Sequence, residues 1–352
     1  MGEENYNTTS ETISQQELVC NNCGSLPVVE GYAVPLCSDC RSRFTNYPIP
    51  GWLKLLSVVI VAIMVFALIQ FPKSISAGVA FERGQRAEKE KRFATAAKEY
   101  KKVVDIFPQS FIAKGKLFVA YVRNLQIDEA EKTFDQIKGT KSNNSSEVSI
   151  IKEANEAVAI LDSYYDVKKE LIDLLNQQRN EDLQTSLKKL EEYTQKNPKE
   201  FFGFYYLGDT LYDSGKYREA KDAYVKAIQL KPNMPIARLG ASAAFRQIGE
   251  YENAIAQCNK VLETNQEFAE AYASLCKIDL KRHQFSSALD LAKKAYELNK
   301  DSIGVIETMA LAYHYNGLTK ERDEVVNTLK SMNDPYLSKL QEVFEGKSKI
   351  YE

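Results

Sequence analysis

Four cysteines in one short stretch carry the clearest chemistry in the chain: Cys20-Asn-Asn-Cys23 and Cys37-Ser-Asp-Cys40, two CxxC pairs separated by thirteen residues. Zinc takes four thiolates in a tetrahedron with bonds of about 2.3 Å, and two tight CxxC turns facing each other supply that set. Gly24 follows the first pair, and a positive φ there turns backbone amides toward the sulfurs. Free or disulfide-paired cysteine is the competing reading, but so short a segment has almost no core and folds only with a metal or a cross-link. A redox dithiol role lacks the larger α/β domain in which such motifs normally sit. Four protein ligands fill the zinc shell, so the implied Zn2+ is structural, with no open position to activate water.

The elements around these cysteines differ sharply in composition. Residues 1–17 are polar, with Ile13 the lone aliphatic after Met1, and read as a disordered tail. Residues 18–44 hold the cysteines, with LPVVEGYAVPL between the pairs reading as two short strands about Glu30-Gly31; this segment resembles a four-cysteine zinc ribbon. Residues 52–71 are apolar apart from Lys54, Ser57 and Gln70. At about 1.5 Å per residue they span about 30 Å, the thickness of a bilayer core, with Trp52 at one interface and Pro72-Lys73 closing the other. A buried core helix would keep a polar face, and a cleavable signal would start near residue 1, so the stretch reads as a single transmembrane helix.

From Ala77 the pattern is helical and periodic. Ala96, Ala130, Ser186, Ala220, Ala254, Ala288 and Arg322 occupy one register, each followed four positions later by Tyr100, Phe134, Leu190, Tyr224, Cys258, Ala292 or Val326. Their spacing is 34 throughout, except for 56 between Ala130 and Ser186, which places a 22-residue insertion at about 145–166. Three positions before each stands Phe93, Ile127, Leu183, Tyr217, Tyr251, Phe285 or Thr319, and Pro108, Pro198 and Pro232 fall where a second helix should stop. The unit at 201–234, with Gly208, Gly215, Tyr217, Ala220, Tyr224, Ala227 and Pro232, resembles the tetratricopeptide repeat family. That resemblance covers 77–331 as about seven units, and implies an all-α solenoid of helix-turn-helix repeats. Phe118 and Leu174 replace the small first-helix residue in two units, and Arg322 replaces the small second-helix residue in the last. The insertion reads as one extra helix that divides the array, and residues 333–352 as an amphipathic capping helix. The expected architecture is therefore an all-α tetratricopeptide-like α-solenoid, preceded by one transmembrane helix and a small β zinc ribbon.

Composition excludes several functions. With 46 Lys+Arg against 48 Asp+Glu, a net charge of -2 gives no surplus for a polyanion partner, so nucleic acid is not expected. The two histidines, His283 and His314, do not assemble a metal or triad site, and no GxSxG, phosphate loop or dinucleotide fingerprint occurs; the chain reads as non-enzymatic, with no small-molecule substrate. In the repeat family, first-helix residues line a concave partner-binding face. Carried onto this chain, that face comprises Tyr205, Asp209 and Tyr212, then Leu239 and Arg246, then Lys277 and Lys281, and finally His314 and Tyr315. A subfamily that clamps a partner's terminal carboxylate uses Lys and Asn where Tyr205 and Asp209 stand here, so the resemblance does not extend to that function. Cys258 and Cys276 read as buried small hydrophobes, with a disulfide open to them in an oxidising compartment.

One span puts the zinc module and the repeats on opposite sides of a membrane. Flanking charges tie at three each: Arg41, Arg43 and Lys54 against Lys73, Arg83 and Arg86. Zinc-bound thiolates favour a reducing cytosol for the N-terminus, which leaves the repeats extracytoplasmic. The expected function is a membrane-anchored scaffold that binds a protein or peptide partner on the concave face; the alternative is a zinc-dependent regulator or sensor signalling from the ribbon to the repeats.

Overall fold

A computed structural model describes residues 18–45, 49–178 and 182–348. The tail expected at 1–17 and the last residues of the expected cap lie outside them. Among the described residues the regular structure is entirely helical, in two units that divide at Pro72 and Lys73.

In the first unit, residues 18–37 wind into a small knuckle that leads into α1 (Ser38–Thr45). The two expected strands are not formed. One isolated antiparallel bridge joins Val28 and Cys37, with the Val29 amide donating to the Leu36 carbonyl at 2.9 Å. Pro27, Pro35 and Gly31 at φ +89° leave too few consecutive extended residues for a ladder. The helix α2 (Gly51–Lys89) begins with the apolar stretch, long and apolar enough to cross a membrane, and every residue from Trp52 to Leu68 is exposed. It does not stop at Pro72 as the sequence suggested. Proline removes one amide donor, and the residues beyond it, rich in Ala, Glu, Lys and Arg, sustain the helix.

In the second unit the end of α2 pairs with α3 (Phe93–Ile106), followed by α4 (Phe111–Arg123) and α5 (Ile127–Phe134). The inserted helix α6 (Ser145–Tyr165) comes next, packed on α4 where Gly115 lies against Ile150. Then come five pairs: α7 (Lys169–Gln178) with α8 (Leu183–Lys196), α9 (Phe201–Asp213) with α10 (Tyr217–Leu230), α11 (Pro235–Gln247) with α12 (Tyr251–Leu262), α13 (Ala269–Lys281) with α14 (Phe285–Leu298), and α15 (Ile303–Tyr315) with α16 (Thr319–Ser331). The short α17 (Leu337–Phe344) closes the array.

The period appears directly in the backbone. Each second helix begins at a residue of the Phe93-to-Thr319 series, and the turn two residues earlier has positive φ at Lys91, Leu125, Gly215, Gly249, His283 and Gly317. Gly215 takes that conformation without strain, whereas Lys91, Leu125 and His283 carry a Cβ into it. Ala96, Ala130, Ser186, Ala220, Ala254 and Ala288 are all buried where paired helices meet. Two helices approach closely around Tyr224: a Cβ on Gly208 would fall 2.8 Å from its ring and one on Gly240 2.4 Å. Burying such a ring is worth about 1.5–3 kcal/mol, so the glycines and the tyrosine form one packing unit. Phe118, standing at a normally small site, is fully buried against Phe134 at 5.3 Å and fills the core of the N-terminal repeats.

The insertion divides the hydrophobic core: one part gathers Tyr100, Phe118, Ala130, Ala154 and Leu161, the other runs from Leu171 to Ile278. The parts touch again at the loop before α13. Glu267 reaches the start of α3, accepting from the Thr95 amide at 2.7 Å, the Thr95 hydroxyl at 2.7 Å and Arg92 Nε at 3.0 Å. The α3 N-terminus has no side-chain cap of its own, so this carboxylate satisfies an otherwise orphaned amide. Gln266 donates to the Lys91 carbonyl, Asn265 donates to Asn124 Oδ1, and Leu125 packs beside Val261, Phe268 and Ala271. The strained turns at Lys91 and Leu125 are thus those held by this contact.

Candidate functional site

In the knuckle, the sulfurs of Cys20, Cys23, Cys37 and Cys40 all lie within 4.8 Å of one another. Gly24 at φ +73° lets its amide donate back to the Cys20 carbonyl, closing the first CxxC turn. The second pair sits at the start of α1, where the Cys40 amide donates to Cys37 Sγ at 3.4 Å. Cys23 and Cys37 sulfurs are 3.6 Å apart, close to the edge of about 3.8 Å that a tetrahedron with 2.3 Å bonds requires. Four thiols this close cannot all ionise without a cation. The amide of Cys37 holds Cys20 down to about 6, and hydrogen bonds with Ser25 lower Cys23. Cys40 accepts from Asn22, which acts to lower it, but neighbouring Cys23 and Cys37 outweigh that bond and push it up to about 12. The donor set therefore fits a soft, tetrahedral dication. Arg41 lies over the Tyr32 ring at 3.5 Å and donates to the Val34 carbonyl, so it braces the knuckle.

In the second unit, the first helices touch their successors, α9 with α11, α11 with α13, and α13 with α15, and so build a continuous inner face. On it lies an open cavity of ≈ 360 Å³. Tyr212, Arg246 and Lys277 line it, joined by Glu307 and Leu311 of α15 and by Lys339, Leu340 and Val343 of α17. The closing helix thus covers part of the inner face as well as packing on α15 and α16. Tyr212 is held by its hydroxyl, which accepts from Arg246 Nη2 at 3.2 Å and Gln247 Nε2 at 3.1 Å. Burial and then the charge of Arg246 push Lys277 below the ordinary lysine value, and Lys281 shifts the same way for the same causes.

The other expected groove residues are engaged within the protein. Asp209 accepts from the Tyr224 hydroxyl, and burial raises its carboxyl to about 6 despite that bond. Tyr205 joins an aromatic cluster with Phe201, Tyr206 and Tyr224, and burial raises its phenol. Leu239 faces the core beside Val261 and Phe268 rather than the groove, because α11 turns that position toward its neighbours. His314 packs on Phe344 at 4.9 Å and Tyr315 stacks on Phe285 at 5.5 Å, so α17 and α14 cover both. Arg322, at the small-residue position, lies over the Phe344 ring at 5.0 Å. Glu307 was missed although the register that selects Tyr205 and Leu239 reaches it in further steps of 34; Lys339 had no such signal, since α17 lies outside the period. Cys258 and Cys276 are free, fully buried thiols, raised by burial to about 11 and about 12.

Helix pairing, the 34-residue turn register and the inner face define a tetratricopeptide-like α-solenoid. Residues 205–272 match the tetratricopeptide repeat family model. The chain is similar to small glutamine-rich tetratricopeptide repeat-containing protein 2 of Mycosarcoma maydis, 29% identical over 92 residues, covering 26% of each chain. It is also similar to RNA polymerase II-associated protein 3 of Homo sapiens, 24% identical over 128 residues, 34% of this chain and 19% of that one. The chain therefore spans about a quarter and a fifth of these relatives. Among solved structures, a tetratricopeptide repeat protein from Parabacteroides merdae overlaps 77% of this chain and 99% of its own, at 12% identity and a TM-score of 0.41.

Proposed function

We propose that this protein is a membrane-anchored interaction scaffold that holds a protein or peptide partner on the inner face of its solenoid. The observation that carries the reading is the inner-face cavity, where tyrosine and arginine, residues of the kind that dominate binding hot spots, stand with lysine around open space. The exposed apolar part of α2 supplies the anchor, since an exposed stretch of this length and composition is stable only in lipid or under a partner. Cys20, Cys23, Cys37 and Cys40 hold a structural Zn2+ that folds the knuckle. The N-terminus is cytoplasmic and the repeats lie across the membrane, as zinc thiolates favour a reducing side.

Proximity labelling from each terminus, in cells carrying the native chain or Tyr212→Ala, tests this. The C-terminal label should mark a partner on the extracytoplasmic side and lose it with the variant. Recovery of cytosolic proteins alone would contradict the topology, and an unchanged partner set would contradict the groove.

A further inference from the structure

The inner-face cavity has an imbalance of charge that the fold itself does not resolve. Arg246 is only 5% exposed, yet its Nε meets no acceptor and its one bond through Nη2 goes to a neutral phenol. Among the described residues, no carboxylate comes within ion-pair distance of Arg246, Lys277 or Lys281. A buried guanidinium without a counter-charge is costly, and a second cation beside it on α13 adds repulsion. The two carboxylates on the cavity wall compensate only in part: Glu307 attracts Lys277 from beyond ion-pair distance but is itself raised by burial, and Asp213 is exposed at the rim. Leu311, Leu340 and Val343 supply an apolar part of the cavity wall.

We infer that this cavity receives an acidic side chain, Asp or Glu, from the bound peptide, with the carboxylate on Arg246 and Lys277 and the adjoining methylenes on the apolar wall. Three features meet in one place: a guanidinium with no counter-charge, a second cation, and ≈ 360 Å³ of space. A guanidinium holds a carboxylate by a charge-assisted bond, and partial burial makes that pairing selective for charge over an amide of equal shape. The inference rests on the groove being the partner-binding face.

The test uses the full chain in detergent micelles and an array of random 12-residue peptides, acetylated and amidated so that no terminal charge is present. Peptides whose binding is lost with Tyr212→Ala define groove binders. These should be enriched in Asp and Glu, and replacing the acid by its amide should weaken them about tenfold or more. Lys277→Gln should abolish that preference, the acid and amide forms of one peptide then binding equally; it serves because Arg246→Gln, at a buried site, could fail to fold. Groove binders with no acidic enrichment, or with amide forms binding equally well, overturn the inference and leave the groove reading standing. A second array with free C-termini separates the remaining outcomes: groove binders there but not in the amidated array overturn the side-chain assignment and leave the groove reading standing, and no groove binder in either array overturns both.

Discussion

Asp209 makes the packing of the central repeats measurable through pH. Its carboxyl lies among Tyr205, Tyr206 and Tyr224, accepts from the Tyr224 hydroxyl, and is raised from 3.8 to about 6 chiefly by burial. Because the raised value belongs to the folded state, that state binds more protons than the unfolded chain between about pH 4 and pH 6. The contribution is fully present below the unfolded value and is lost as pH climbs through about 6. A rise of this size corresponds to at most about 3 kcal/mol, less what residual water contact screens. Asp209→Asn keeps an oxygen that accepts from Tyr224 and has no charge to desolvate. Relative to the variant, the native chain should therefore lose up to about 3 kcal/mol between pH 4 and pH 7, a relative fall in Tm of about 6 °C. Circular dichroism melts of both chains across that range read the difference directly, and carboxylates common to both cancel. A difference that stays flat with pH would refute a desolvated Asp209 and the aromatic packing around it.

Gly240→Ala drives a methyl into the Tyr224 ring and should destabilise by about 1–3 kcal/mol, whereas Gly304→Ala, with nothing within 4 Å, should be neutral or slightly stabilising; thermal melts compare them. Glu267→Ala removes the cap that α3 receives from the far loop, costing about 1–2 kcal/mol, and amide exchange should accelerate at Thr95 and Ala96 before the central repeats. The native chain should bind one Zn2+ per molecule and Cys37→Ser should lose it, with metal analysis as the readout; binding unaffected by that substitution would contradict the tetrathiol site.

The repeat array was legible because its physics is periodic. A small residue every 34 positions marks each helix contact, and the helix starts at Phe201, Pro235, Ala269 and Ile303 keep that step. The tetrathiol set was legible from spacing alone, since two CxxC turns constrain the sulfurs locally. Features outside any period were not. The Glu267 contact with Thr95 joins residues 172 apart, and no local pattern encodes it. Nor does sequence register say that α17 folds over the inner face, covering His314 and supplying Lys339 to the cavity. Leu239 shows the limit of transferring a family's positions: the register placed it correctly on α11, but its contacts were set by the neighbouring core. Two strands read from LPVVEGYAVPL shrank to one bridge because prolines and a left-handed glycine interrupt them.

The central claim is that the inner face, rather than the outer surface of the solenoid, holds the partner. A photo-crosslinking amino acid placed at Lys281, one turn beyond Lys277 on α13, or at the exposed Lys226 on α10, reports it in intact cells. The account predicts a discrete adduct from position 281 that disappears with Tyr212→Ala, and none from position 226. Adducts of equal strength from both positions, or from 226 alone, would contradict it.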